Sequence, residues 1–106
     1  MENYRILAQM PEDKLNEILY NVRIAINEIL EQGFNEKEIQ IAVPKYFVEL
    51  LNLKKGFVES YPLMYLDGEF TFFGYRPIWN YDNYIVVYHV DMPLYLESTY
   101  KVINLK

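Results

Sequence analysis

One histidine and one carboxylate, His89 and Asp91, sit two residues apart at the end of a run of β-forming residues. On a strand, side chains i and i+2 share a face. The pair therefore has the arrangement of a general base and the carboxylate that orients it. The chain supplies no matching nucleophile, because it has no cysteine and no Gly-x-Ser-x-Gly elbow. A structural zinc site needs nitrogen or sulfur ligands that one histidine without cysteine does not provide. Asp67 and Glu69 flank a glycine turn and read as solvated carboxylates. No phosphate-cradling glycine loop occurs. The sequence accordingly implies no catalytic residue, no metal and no cofactor. A small-molecule enzyme built on His89 and Asp91 stands as the weaker reading.

The second constellation is of binding type. Tyr75, Arg76, Trp79, Tyr81, Asp82 and Tyr84 lie within ten positions of one another. Arg, Trp and Tyr are the residues that most often dominate interface energetics. The chain also carries 11 tyrosines, whose large apolar body and wet tip suit interfaces and half-buried sheets alike. These six residues are the expected partner-binding set. The competing reading buries Trp79 and Tyr75 and leaves Arg76 as a solvated rim charge.

Both groups ride on the stretch Glu69–Asp91, around which the rest of the chain is organised. Tyr84–Val90 is almost entirely β-branched or aromatic, with Tyr84, Val86, Tyr88 and Val90 on one face and Ile85, Val87 and His89 on the other. Two apolar faces predict an inner strand covered on both sides. A preceding strand over Glu69–Ile78 is expected to pair with it through a turn at Asn80–Asn83. Gly74 suggests a bulge or a close backbone approach in that strand, and Pro77 an end or a free edge.

Before this stretch, Pro11 opens a helix to Gln32 whose stripe Leu15, Ile18, Leu19, Val22, Ile26, Ile29 and Leu30 faces a core, with Gly33 as its left-handed stop. Ile6 and Leu7 dock in front of it. Asn35-Glu36-Lys37-Glu38 has capping-box spacing, and Ile39–Val43 alternates as a short strand. Pro44 then opens a second helix with Tyr46, Phe47, Leu50 and Leu51 at helical spacing, stopped by Gly56. One kinked helix from Asn35 to Leu53 is the rival for this region. Asp67-Gly68 between two apolar runs signals a hairpin joining Tyr61–Leu66 to the strand that starts at Glu69. The tail adds an edge strand guarded by Glu97 and Lys101. The fold class is α+β, a single domain over 1–106, with two helices on an antiparallel meander of four to five strands. Leu19, Val22, Ile26, Ile29, Phe47, Leu51, Phe72 and Val87 form its shared core.

The totals narrow the partners. The 106 residues carry a formal charge of −5, which disfavours direct binding to nucleic acid phosphates. The carboxylates Glu12, Asp13, Glu17, Glu28, Glu31, Glu36 and Glu38 crowd the first third, interrupted by Lys14, Arg23 and Lys37. They form a diffuse acidic face that steers a basic partner, which makes an inhibitor of a host protein an alternative reading. No apolar run is long enough to span a membrane, and no secretory signal is readable at the start. The expected partner is a protein, with self-association into a homo-oligomer included.

The runs IAVPKYFVELLNLKKG and LDGEFTFFGYRPIW resemble the strand, proline-led helix and hairpin found in head proteins of tailed bacteriophages. The similarity covers about half the chain, which is much shorter than a whole coat protein of that kind. It implies a phage- or prophage-encoded protein, located in the virion or in the host cytoplasm. Such proteins are virion parts or inhibitors of host machinery. The resemblance carries over no functional residue.

Overall fold

A computed structural model describes residues 10–57, 61–66, 68–91 and 99–105. Helix α1 spans Glu12–Leu30, and Pro11 caps it in extended geometry, one position before the helix. Glu12 and Asp13 occupy its first turn, where carboxylates complement the helix dipole. The predicted stripe is buried from Leu15 to Ile29. Gly33 closes the helix at φ 94°, a conformation that favours glycine. A single 3-10 turn over Glu36–Glu38 comes next, and it carries the predicted capping box.

Strand β1, Ile39–Pro44, runs directly into helix α2, Lys45–Leu53. The strand-then-helix reading therefore holds over the kinked helix. The chain leaves α2 at Lys54 and continues through a 3-10 turn at Lys55–Phe57. Gly56 sits inside that turn and is not the left-handed stop expected of it. Strands β2 (Leu63–Leu66) and β3 (Glu69–Phe72) pair antiparallel with Leu66 opposite Glu69. The two-residue connection expected at Asp67-Gly68 is thus present, with Gly68 at φ 77° and Asp67 outside the described residues.

The expected single strand Glu69–Ile78 is instead two. Phe73 and Gly74 adopt φ 55° and 87°, and Phe72 and Tyr75 exchange backbone hydrogen bonds of 2.8 and 3.0 Å across them. This is a tight turn rather than a bulge. Gly74 accepts positive φ freely, whereas Phe73 holds it at a cost on the order of 1–2 kcal/mol. The Phe73 ring packs edge-on to Phe72 at 4.9 Å and lies under the Arg23 guanidinium at 5.7 Å. These contacts offset that cost.

The larger correction concerns adjacency. β4 (Pro77–Asn80) and β5 (Tyr84–His89) do not form a hairpin. With the last strand, β6 (Tyr100–Asn104), they belong to a main sheet of order β4-β1-β5-β6. β1 lies between β4 and β5, parallel to β4 and antiparallel to β5. The antiparallel meander is therefore a mixed four-stranded sheet plus the separate β2–β3 pair. Two residue properties favour this order. Ile39, Ile41 and Val43 are nearly fully buried, which suits β1 to the interior of the sheet. Pro77 lacks an N–H to give a second neighbour, which suits β4 to an edge. Residues 81–83 step over the end of β1 where Pro44 turns the chain into α2. Four extended steps reach about 13 Å, enough to cross two strand spacings of about 4.8 Å.

One face of the sheet is core. Ile85, Val87 and His89 of β5 meet Ile39, Ile41 and Ile103 there. α1 lies against β5 and β6, and α2 against β1. All eight predicted core residues are in this one cluster. The expectation that β5 is covered on both faces fails. Tyr84, Val86 and Tyr88 are only half-buried, opposite Asn104, Val102 and Tyr100 of β6 and, for Val86 and Tyr88, opposite Ala42 and Gln40 of β1. Tyrosine supports this half-wet role because its ring is apolar and its hydroxyl is not. Ile78 and Asn80 complete this outer face on β4, by their register with Ala42 and Pro44. β5 also ends at His89, so Val90 lies in a turn.

β6 is the predicted edge strand. Lys101 lies on its core-facing side, opposite Val87, and pairs with Glu28 of α1 at 3.1 Å. A charge pointing inward on an edge strand disfavours pairing with further strands. The expected guard Glu97 and the docking of Ile6 and Leu7 lie outside the described residues.

Candidate functional site

His89 is 3% exposed, and both ring nitrogens are engaged. The Asp91 backbone N–H donates to Nδ1 at 3.2 Å. Nδ1 is then an acceptor, so Nε2 carries the proton and donates to Glu38 Oε2 at 3.0 Å. The other Glu38 oxygen accepts the Asn35 N–H at 3.1 Å, which closes the capping box. The Phe34 ring covers the imidazole at 4.4 Å. The carboxylate partner of His89 is thus Glu38 and not Asp91, which contributes its backbone alone. With both nitrogens occupied and the ring enclosed, His89 ties β5 to the 3-10 turn and has no free valence for a substrate. Among the described residues no group of three His, Asp or Glu side chains is placed to hold a metal ion.

This clamp has a measurable consequence. Glu38→Ala leaves a buried Nε2–H and the Asn35 N–H without acceptors, which is expected to cost about 1–3 kcal/mol in denaturant unfolding. Glu38→Gln keeps an acceptor oxygen and is expected to lose less. A cost under about 0.5 kcal/mol for Glu38→Ala would contradict the clamp.

The binding-type residues are distributed along β4 and its flanking turns. Trp79 is 42% exposed and stacks on Phe70 of β3, with ring centroids 6.1 Å apart and planes 25° from parallel. Phe70 in turn meets Tyr65 of β2 at 5.7 Å, and Tyr65 is 74% exposed. The three rings form a row that links the hairpin to the edge of the main sheet. Arg76 is exposed and paired with Glu69 beside the row. Sequence reasoning does not single out Tyr65 and Phe70. A signal for them exists, because a two-residue connection at 67–68 fixes the register and sets Tyr65 opposite Phe70.

Tyr81 is 92% exposed, and its loop is anchored on both sides. The Asn80 side chain accepts from the Asp82 N–H at 3.1 Å and donates to the Tyr84 carbonyl at 3.2 Å. The Tyr46 hydroxyl, from the first turn of α2, lies 3.0 Å from the Asp82 carbonyl and 2.8 Å from Asn83 Oδ1. Leu105 N–H donates to the Asn83 carbonyl at 2.9 Å. The loop therefore presents Tyr81 from a fixed backbone, which limits the entropy lost on binding.

The remaining two tyrosines of the set point elsewhere. Tyr84 stands on the outer face of β5. Tyr75 lines a groove of about 480 Å³ between α1 and the β2–β3 hairpin, with Arg23, Glu36, Tyr61 and Phe73 among its walls. The structure therefore gathers Trp79, Arg76 and Tyr81 along the β4 margin and separates Tyr75 and Tyr84 from them. Asp82 serves the loop through its backbone, and its carboxylate faces the Tyr84 hydroxyl.

Comparison with protein-family models, with curated proteins and with solved structures found no match. The function of the site rests on its geometry.

Five tyrosine hydroxyls are held above the usual range. Burial raises Tyr46 with a contribution from Asp82, burial alone raises Tyr61 and Tyr88, and burial with Glu36 raises Tyr75. A hydrogen bond to the Asp82 carboxylate raises Tyr84. A raised folded value means that the neutral form is favoured in the folded chain. The contribution is complete below the unfolded value of about 10 and is lost as pH rises through the folded values. The denaturant midpoint is expected to be insensitive to these groups below pH about 9 and to fall above about 10. A midpoint that rises above pH about 10 would contradict these environments.

Proposed function

We propose that this chain is a non-enzymatic protein–protein interaction module whose contact surface is the aromatic margin of β4. The observation that carries the proposal is the row Tyr65–Phe70–Trp79, open to solvent at its two ends and packed against the core at Phe70, with Tyr81 presented by an anchored loop two residues on. Exposed aromatic rings that protrude from fixed backbone are the form hot spots take. The partner is a protein. The diffuse acidic face of α1 contributes to encounter with it, because Lys14 and Lys101 lie beside Glu17 and Glu28 and break up any continuous carboxylate row. No helix among the described residues is long and apolar enough to cross a membrane. A virion or assembly setting rests on the phage-head resemblance of the sequence alone.

Amide hydrogen exchange on the complex tests this reading. Once a partner has been isolated, its binding is expected to slow exchange in β4, the loop 81–83 and the β2–β3 hairpin. Protection confined to α1, with the β4 margin exchanging as in the free chain, would overturn it.

A further inference from the structure

We infer that the outer face of the four-stranded sheet, turned away from both helices, docks on the same face of a second copy of this chain. The inference goes beyond the β4 margin, since it concerns a different surface and a different partner.

The carrying observation is the chemistry of the face. Its outward positions that solvent reaches, two on β1, two on β4, three on β5 and three on β6, hold no acid and no base. Charged residues make up 24% of the chain, so ten positions of average surface would hold two or three. The apolar side chains at its two edges are open to solvent, with Ile78 on β4 at 40% and Val102 on β6 at 48%. Tyrosines 84, 88 and 100 lie between them, half-buried.

Three properties make a second copy the occupant. First, each copy carries −5, and a two-fold axis sets like against like. A face that contains carboxylates would meet the same carboxylates, whereas this face meets itself without like-charge contact. A basic partner would find no carboxylate here to pair with. Second, tyrosine hydroxyls and asparagine or glutamine amides both donate and accept hydrogen bonds. A surface made of them is complementary to its own copy, and the Tyr88 hydroxyl already donates to Gln40 Oε1 in this way at 2.8 Å. Third, a sheet face that neither helix covers packs on another at about 10 Å separation with strands near −30°.

Size sets the strength. Four strands about 4.8 Å apart and about five residues long give a face of roughly 19 by 16 Å. That is on the order of 300 Å² in plan per copy, well below the roughly 800 Å² per partner of a standard stable interface. The dimer is therefore weak and concentration-dependent.

Salt separates this contact from binding by the acidic face. The net charges of two copies repel across an uncharged interface, and salt screens that repulsion. Self-association is expected to tighten between about 50 and 200 mM salt, whereas capture of a basic partner weakens over the same range. Sedimentation equilibrium from about 10 μM to 1 mM tests the inference. The wild type is expected to pass from monomer to dimer, and Val102→Glu and Ile78→Glu are expected to remain monomeric at the top concentration. Both sites are exposed, so circular dichroism should show the variants folded. Trp79→Ala with Tyr81→Ala is expected to leave the dimer intact. A wild type that stays monomeric throughout, a dimer that survives Val102→Glu, or one that weakens with salt would each overturn the inference. None of these results bears on the β4 margin, which has its own variants.

Discussion

Phe72→Ala is expected to lower the unfolding free energy by about 3–5 kcal/mol, the range for deleting a fully buried ring. Phe72 has no exposed surface and is the one buried residue of β3. A two-stranded hairpin is marginal by itself in water. The β2–β3 pair keeps its place because Phe72 belongs to the core cluster, with Leu63 and Phe70 packed against it, and because the turn after it is closed by the exchange with Tyr75. Against a typical total of about 5–15 kcal/mol the loss is large. It also reaches the proposed contact surface, because the hairpin carries Tyr65 and Phe70. Denaturant unfolding measures the first effect, and near-ultraviolet dichroism of the aromatic row the second. A cost below about 1 kcal/mol would mean that the hairpin is held by something other than this ring.

The parts of this fold legible in the sequence are those fixed by local chemistry. The stripe of α1, the proline between β1 and α2, and the Asp-Gly connection of β2 and β3 each act over a few residues. Strand adjacency does not. Asn80–Asn83 has genuine turn chemistry, seen in the Asn80 side chain bonding to Asp82 and Tyr84. The same chemistry serves a hairpin or a step over one strand, and only the burial of β1 decides between them. Phe73-Gly74 reads as a bulge in the sequence because a bulky aromatic seldom holds positive φ. Its compensation comes from Phe72 and from Arg23, some fifty residues away in sequence. Strand periodicity alone pairs His89 with Asp91. The strand ends at His89, so the next two residues turn and the carboxylate comes from Glu38 instead. Of the binding set, Trp79, Arg76 and Tyr81 share one margin because β4 is an edge. Tyr75 lies apart from it because the expected strand Glu69–Ile78 is broken by the turn at Phe73-Gly74, and Tyr84 because β1 lies between β4 and β5.

Replacing both Trp79 and Tyr81 by alanine is expected to weaken partner binding by at least 100-fold while leaving the fold nearly unchanged. A hot-spot side chain contributes about 2 kcal/mol or more to binding, and about 1.4 kcal/mol is a factor of ten. In the free chain the pair contributes less. Tyr81 is almost wholly exposed, and Trp79, 42% exposed, gives up its stacking contact with Phe70, worth about 0.5–1.5 kcal/mol beyond the area it buries. A large loss of affinity in a chain that stays folded marks a contact surface.

The most direct test is therefore a calorimetric titration of the captured partner into three chains: the wild type, the Trp79→Ala, Tyr81→Ala variant, and Tyr20→Ala as an exposed tyrosine on α1 remote from β4 in sequence. The account predicts equal affinity for wild type and Tyr20→Ala, and a loss of about 100-fold or more for the double variant. Equal affinity for all three chains, with the double variant folded, would contradict it.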